Sequence, residues 1–204
     1  HLIEVATLPP KGYLRFLAVD TATSEKPGSS YTAVVSFFEY DGAIYIDEVF
    51  RDRVPPDRIG DVLERLVSRL KPQHVVVEEA NSGYIVWDRL NKVLGLSVHL
   101  IKPTSSKLER AIRCLSHFNQ KKVKLPKCAS WRAAYDAELL SFPSGRYTDQ
   151  VDATTLGLIW YLDNSGGGRH DPGFRKVEPY IARGGTRGPS YFDPKRRRYV
   201  RPGS

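Results

Sequence analysis

Two spacings of apolar residues follow one another along this chain, and their order limits the folds open to it. Residues 14 to 20, 31 to 40 and 43 to 50 are rich in β-branched and aromatic side chains and are divided by turn signals, Asp41-Gly42 among them. Three consecutive strands are expected there, the last two forming a hairpin. From Pro56 the period changes: Ile59, Val62, Leu63, Leu66, Val67 and Leu70 recur at helical spacing, with Pro56 at a first-turn position and Lys71-Pro72 as the stop. Residues 74 to 79 then form a short apolar run closing on two acids, the pattern of a strand covered on both faces. A helix over residues 84 to 93 and a strand over 97 to 101 follow, and helical periods return over 107 to 120, 130 to 141 and 149 to 162.

That order joins an antiparallel three-strand meander to a parallel β-α-β section, which makes an α/β domain with a mixed central sheet and helices on both faces. It is the layout of an RNase H-like fold. The domain is expected over residues 13 to 163. Residues 1 to 12, with Pro9-Pro10 and Gly12, read as an arm or linker remnant, and residues 164 to 204 as a basic tail rich in Gly, Pro and Arg. The formal charge of +8 is concentrated in that tail, which holds ten Lys and Arg against three Asp and Glu; the remainder, at twenty-one against twenty, is nearly neutral. The tail is therefore either a solvated end or a contact for DNA or a partner. No apolar run reaches membrane-spanning length and no secretion signal opens the chain, so an intracellular protein without membrane contact is expected. Cys114 and Cys128 offer neither a disulfide framework nor zinc-ligand spacing. The sequence opens on His1 and holds no methionine, so it is read as a piece of a longer chain.

The chemistry lies in acids at the ends of these elements. Asp20 closes the first apolar run, Glu78-Glu79 closes the run at residue 74, and Asp149 and Asp152 stand three apart at the start of a helix, facing the same way. Two like charges on one helical turn repel unless a cation lies between them. Carboxylates suit Mg²⁺ or Mn²⁺, and two such ions side by side can activate a water and stabilise the leaving oxygen of a phosphodiester. The strand's period of two allows only one of Glu78 and Glu79 to face the same site as Asp20, and the pattern leaves both possible.

The stretch with Lys107-Leu-Glu-Arg110, Val123-Lys-Leu-Pro126, Glu138-Leu-Leu-Ser-Phe-Pro143 and Gly145-Arg-Tyr-Thr-Asp-Gln-Val-Asp-Ala153 resembles the C-terminal nuclease domain of phage terminase large subunits. Ala18-Val-Asp20 and Glu79-Ala-Asn81-Ser-Gly83 resemble that family's other two acidic motifs. The resemblance implies an endonuclease that binds two Mg²⁺ or Mn²⁺ ions and cuts concatemeric double-stranded DNA, in the cytoplasm of an infected host. It also implies an ATPase domain, a portal protein and a small terminase subunit as partners of the parent protein. By position, Asp20 would bridge the ions, Glu79 would be the second ligand, and Asp149 with Asp152 would close the site. Tyr147-Thr148 departs from the family's His-Asp at that point, which removes one ligand and leaves the division between Asp149 and Asp152 open. No Gly-x-x-x-x-Gly-Lys-Ser/Thr loop occurs, so ATP hydrolysis is assigned to the parent protein and not to this chain.

Lys102, Lys107, Arg110, Lys121 and Lys122 are candidates for phosphate contacts, which give affinity without sequence choice; a solvated surface is the competing reading for each. Two other functions compete with the packaging nuclease. One is a different RNase H-like nuclease, such as a junction resolvase, and the other is a DNA- or portal-docking module whose acids hold no metal. Asp20-Thr-Ala-Thr-Ser could also open a sugar-kinase phosphate loop, but Ala22 stands where that loop needs glycine and no second loop follows.

Overall fold

A computed structural model of the chain describes residues 3–9, 14–21, 31–79, 86, 90 and 96–164, together with the backbone of 174–177, 191–193 and 198–200. The strands are β1 (Ile3–Val5), β2 (Leu14–Asp20), β3 (Thr32–Tyr40), β4 (Ala43–Asp52), β5 (His74–Glu78), β6 (Ser97–Pro103), β7 (Val123–Pro126) and β8 (Phe174–Val177). Among the described residues they form one sheet in the order β1-β7-β4-β3-β2-β5-β6-β8, beside a separate pair, β9 (Tyr191–Asp193) and β10 (Arg198–Val200). The helices are α1 (Ile59–Leu70), α2 (Lys107–Asn119), α3 (Arg132–Ser141) and α4 (Asp149–Asn164). The helix expected over residues 84 to 93 lies outside the described residues, apart from the buried Val86 and Leu90.

The meander and the parallel section are both present, and they meet at β2. That strand pairs antiparallel with β3 and parallel with β5, and β5 pairs parallel with β6. The β3–β4 hairpin turns on Asp41 and Gly42, whose φ angles of 51° and 69° are the paired positive values that a two-residue turn matching the strand twist requires. The period of helix formers after Pro56 begins as one short 3₁₀ turn, Pro56–Arg58, before α1; Lys71, at φ 50°, ends α1 with its N–H on the Val67 carbonyl at 2.8 Å. Ile3–Val5, within the stretch read as an arm, pairs in parallel with β7, and Phe174–Val177, within the stretch read as a tail, pairs with β6.

Alternation along the strands divides the core in two. Phe16, Ala18, Val35, Phe37 and Val76 pack with Cys114 of α2, Tyr135 of α3 and the apolar residues of α4. Leu17, Val19, Val34, Val75 and Val77 pack with α1 and with Val86 and Leu90. Helices therefore cover both faces. Helix α4 is buried around its whole circumference from Asp149 to Trp160, because the sheet lies on one side of it and α2 and α3 lie on the other. Gly157 lets it approach the sheet: a Cβ there would stand 2.5 Å from the Phe37 ring and 2.9 Å from the Ala18 methyl. No described helix is long and apolar enough to cross a membrane.

Candidate active site

The face division of the core decides which acids meet. Asp20 follows Phe16 and Ala18 by the period of two and so ends β2 on the α4 side. On β5 the same rule sends Glu78 to the α4 side with Val76, whereas Glu79 lies one residue past the strand. The Glu79 N–H donates to the Ile101 carbonyl at 2.7 Å, which carries the pairing of β5 and β6 one residue past the strand. Asp149 and Asp152 enter from the first turn of α4, where both are buried. The acids whose charges meet at Asp20 are therefore Glu78, Asp149 and Asp152.

Two cations from α2 stand among these acids. Lys107 donates to Asp152 and, at 3.1 Å, to the Thr148 hydroxyl. Thr148 in turn donates to Asp152 at 3.0 Å. The Arg110 guanidinium, only 4% exposed, lies 3.3 Å from the Asp152 carboxylate and 3.7 Å from that of Glu78. A capping box fixes this end of α2: the Ser106 hydroxyl accepts the Glu109 N–H at 3.2 Å, and the Glu109 carboxylate accepts the Ser106 N–H at 2.7 Å.

The proton affinities follow from burial and crowding. Burial raises the Asp20 carboxyl well above the usual range, and the charges of Asp152, Glu78 and Asp149 raise it further against the pull of Lys107. Glu78 is raised by burial and by Asp152, with Arg110 and Lys107 opposing. Asp149 is raised by burial, against the Tyr31 N–H that it accepts and the nearby Arg51 charge. Burial alone would lower Lys107, but its hydrogen bond to Asp152 and the surrounding acids bring it above its ordinary value.

The first turn of α4 is held by a residue that no local pattern singled out. The buried Glu138 of α3 accepts the Gln150 N–H at 2.6 Å, the Val151 N–H at 3.3 Å and the Gln150 side-chain amide at 2.7 Å, and it lies 3.5 Å from Arg51. It caps a helix N-terminus from outside the helix, where a negative charge also meets the positive end of the dipole. Such a cap becomes visible only once α3 is known to cross the start of α4. Tyr31 and Arg51 escape a sequence reading for the same reason: register across β2, β3 and β4 aligns Asp20 with Ala33 and Ala33 with Arg51.

The basic candidates separate. Lys107 and Arg110 belong to the acid cluster, whereas Lys121 and Lys122 form the turn that ends α2, with Lys121 at φ 59° and the Lys122 N–H on the His117 carbonyl at 3.0 Å. At about 1.5 Å per residue, that turn is about 20 Å from Lys107 along the helix. Lys102 alternates with Ile101 on β6 and so falls on the α1 face.

By donor chemistry the four carboxylates suit a hard divalent cation, and the buried Oδ2 of Asp149 has no hydrogen-bond partner among the described residues. Their convergence is incomplete. Among the described residues no three His, Cys, Asp or Glu side chains stand close enough to hold one ion, and the Asp152 carboxylate is engaged by Lys107 and Arg110.

The architecture is an RNase H-like α/β fold, with acids at two adjacent strand ends facing a buried helix. The same fold occurs in solved terminase structures. The large terminase of a thermophilic bacteriophage is 16% identical with a TM-score of 0.60, over 78% of this chain and 42% of that one. The human cytomegalovirus terminase nuclease domain, solved also after an Mn soak, is 11% identical with a TM-score of 0.56, over 81% of this chain and 88% of that domain. The large terminase nuclease of a second thermophilic phage, with bound zinc, is 17% identical with a TM-score of 0.55, over 76% of this chain and 91% of that one. This chain thus spans under half of the first phage protein but most of the two isolated nuclease domains. No protein-family model and no curated protein sequence matches it.

Proposed function

We propose that this chain is the nuclease domain of a phage DNA-packaging terminase large subunit, an endonuclease that hydrolyses double-stranded DNA with the help of divalent metal ions. The observation that carries the reading is the meeting of Asp20, Glu78, Asp149 and Asp152 at one end of a fold shared with terminase nuclease domains. Asp20, Glu78 and Asp149, with Asp152 beside them, would hold two Mg²⁺ or Mn²⁺ ions. Such ions supply Lewis acidity to the phosphodiester and lower the pKa of a bound water. Asp20, on which the charges of Asp152, Glu78 and Asp149 all act, would be a ligand central to that set. Glu138 holds the start of α4 so that Asp149 and Asp152 keep their aim. Lys107 and Arg110 supply counter-charge to Asp152 and Glu78, and Lys107, the more exposed of the two, can exchange Asp152 for a DNA phosphate. Packaging cleavage of concatemers, and an ATPase domain, a portal and a small subunit as partners of the longer protein, belong to the same proposal.

Incubating plasmid DNA with the purified chain and Mn²⁺ or Mg²⁺ tests it. Nicked and linear products that vanish with Asp20→Asn are expected; equal cutting by that variant, or no cutting by the parent, would sink the proposal. One observation favours a docking module instead, namely that Lys107 and Arg110 already neutralise part of the cluster. Calorimetric titration with Mn²⁺ separates the two, since a docking module would bind no metal.

A further inference from the structure

Beside the acids, on the Asp149 side, lies a second constellation. The Arg51 guanidinium sits 3.9 Å from the Tyr31 ring centre and 5.2 Å from that of Tyr147. Arg53 lies 4.5 Å from the Tyr31 ring and donates to the Tyr147 hydroxyl at 3.3 Å, while Arg146 lies 5.3 Å from the Tyr147 ring. The two rings meet edge to face at 4.9 Å. Three guanidinium groups are thus gathered around two tyrosines.

Their charge is incompletely balanced. Arg15, Arg69, Arg113 and Arg132 all stand on carboxylates, and Arg51 has Glu138 at 3.5 Å. Arg53 and Arg146 are exposed, and among the described residues neither guanidinium has a carboxylate partner, the neighbouring Asp52 carboxylate accepting the Arg53 backbone N–H at 2.7 Å. Gathering like charges costs free energy unless an anion shares them, and a guanidinium fork matches the oxygens of a phosphate. The rings already carry guanidinium groups on their faces, so the tyrosines fix the arginines and leave little face for stacking a base.

The placement is specific. Arg51 lies in register with Ala33 and Asp20 across the sheet, Asp149 accepts the Tyr31 N–H, and Tyr147 precedes Asp149 by two residues. Lys107 and Arg110 flank the same acids from α2. A DNA backbone crossing the acids would meet cations on both sides.

We infer that Arg53 and Arg146, held by Tyr31, Tyr147 and Arg51, form a platform for DNA backbone phosphates next to the acid cluster. This deepens the nuclease reading and rests on it for the choice of DNA as the ligand. The contacts are to backbone and carry no base preference. They position the duplex, and none of these side chains takes part in the bond cleavage.

The test is duplex binding by fluorescence anisotropy in EDTA, across a series of salt concentrations, for the full chain and the Arg53→Ala/Arg146→Ala variant. Weaker binding at low salt is expected, with the slope of log K against log[salt] shallower by about 1.8, at about 0.9 for each phosphate no longer neutralised. Arg53→Lys/Arg146→Lys should recover most of that slope, and Mn²⁺ titration of the alanine variant should match the parent. An unchanged slope in the alanine variant, with the parent still cutting plasmid, would overturn the platform and leave the nuclease intact. A reduced slope in a chain that cuts nothing would sustain the platform and remove the nuclease reading. Equal loss of slope in the lysine and alanine variants would also overturn it, since backbone contact needs charge at these positions and no particular side-chain shape.

Discussion

Replacing Gly157 with alanine sets two known effects against each other. In a helix interior, alanine is favoured over glycine by about 1 kcal/mol. The added methyl would sit 2.5 Å and 2.9 Å from two atoms of the Phe37 ring and 2.9 Å from the Ala18 methyl. Neither neighbour yields easily: Phe37 is fully buried and stacked on Phe16 with ring centres 4.9 Å apart, and the Ala18 methyl has no torsion with which to move aside. Overpacking of a rigid site belongs at the upper end of the usual cost, about 3 kcal/mol. The net effect is a loss of about 2 kcal/mol, or roughly 4–8 °C in Tm for a chain of this size. Thermal unfolding followed by circular dichroism reads it, and Phe37→Leu in the same chain provides the control. Leucine removes the two ring atoms that collide, so the double variant should be more stable than the sum of the single losses by at least about 0.5 kcal/mol. Gly157→Ala at or above the parent Tm, or strict additivity of the pair, would show that α4 is not held against the sheet by this contact.

Arg110→Ala should cost about 3–5 kcal/mol in denaturant unfolding, because it leaves the buried Asp152 beside Glu78 and Asp20 with one cation fewer. Added Mn²⁺ should return part of that loss, and a cost below about 1 kcal/mol would mean that Lys107 alone suffices. The two thiols should differ sharply. Burial pushes the Cys114 thiol up to about 12 whereas Cys128 is exposed, so near neutral pH a disulfide reagent should modify one thiol in the native chain and two after unfolding. Two native equivalents at the same rate would contradict the burial of Cys114 beneath α4.

Much of this architecture was legible because the apolar pattern changes period where the elements change type. The meander, the switch to α1 and the buried β5 follow from residues such as Ile59, Leu63 and Val67, whose spacing has one good solution. The acids were legible as the ends of those runs. The choice between Glu78 and Glu79 was not, and the reason is physical: Val75, Val76 and Val77 are apolar on both faces, so the run contains no alternation from which to read direction. Only the packing of Val76 against the α4 side gives Glu78 its direction. Glu138, Tyr31 and Arg51 were invisible because their roles arise from register and helix crossing between segments far apart in the chain. Lys121 and Lys122 form a turn whose backbone geometry a lysine run does not announce, since charge runs advertise solvent or anions alike.

The acid cluster joins β2, β5 and α4, elements separated by long stretches of chain. Asp20, Glu78 and Asp152 come within range of one another only as these elements assemble, so their repulsion opposes assembly and is absent from local fragments. A partly folded chain, or one nicked between these elements and opened, carries the individual carboxylates but no assembled centre. The proposed metal site would thereby exist only in the completed fold, and its assembly would mark the end of folding.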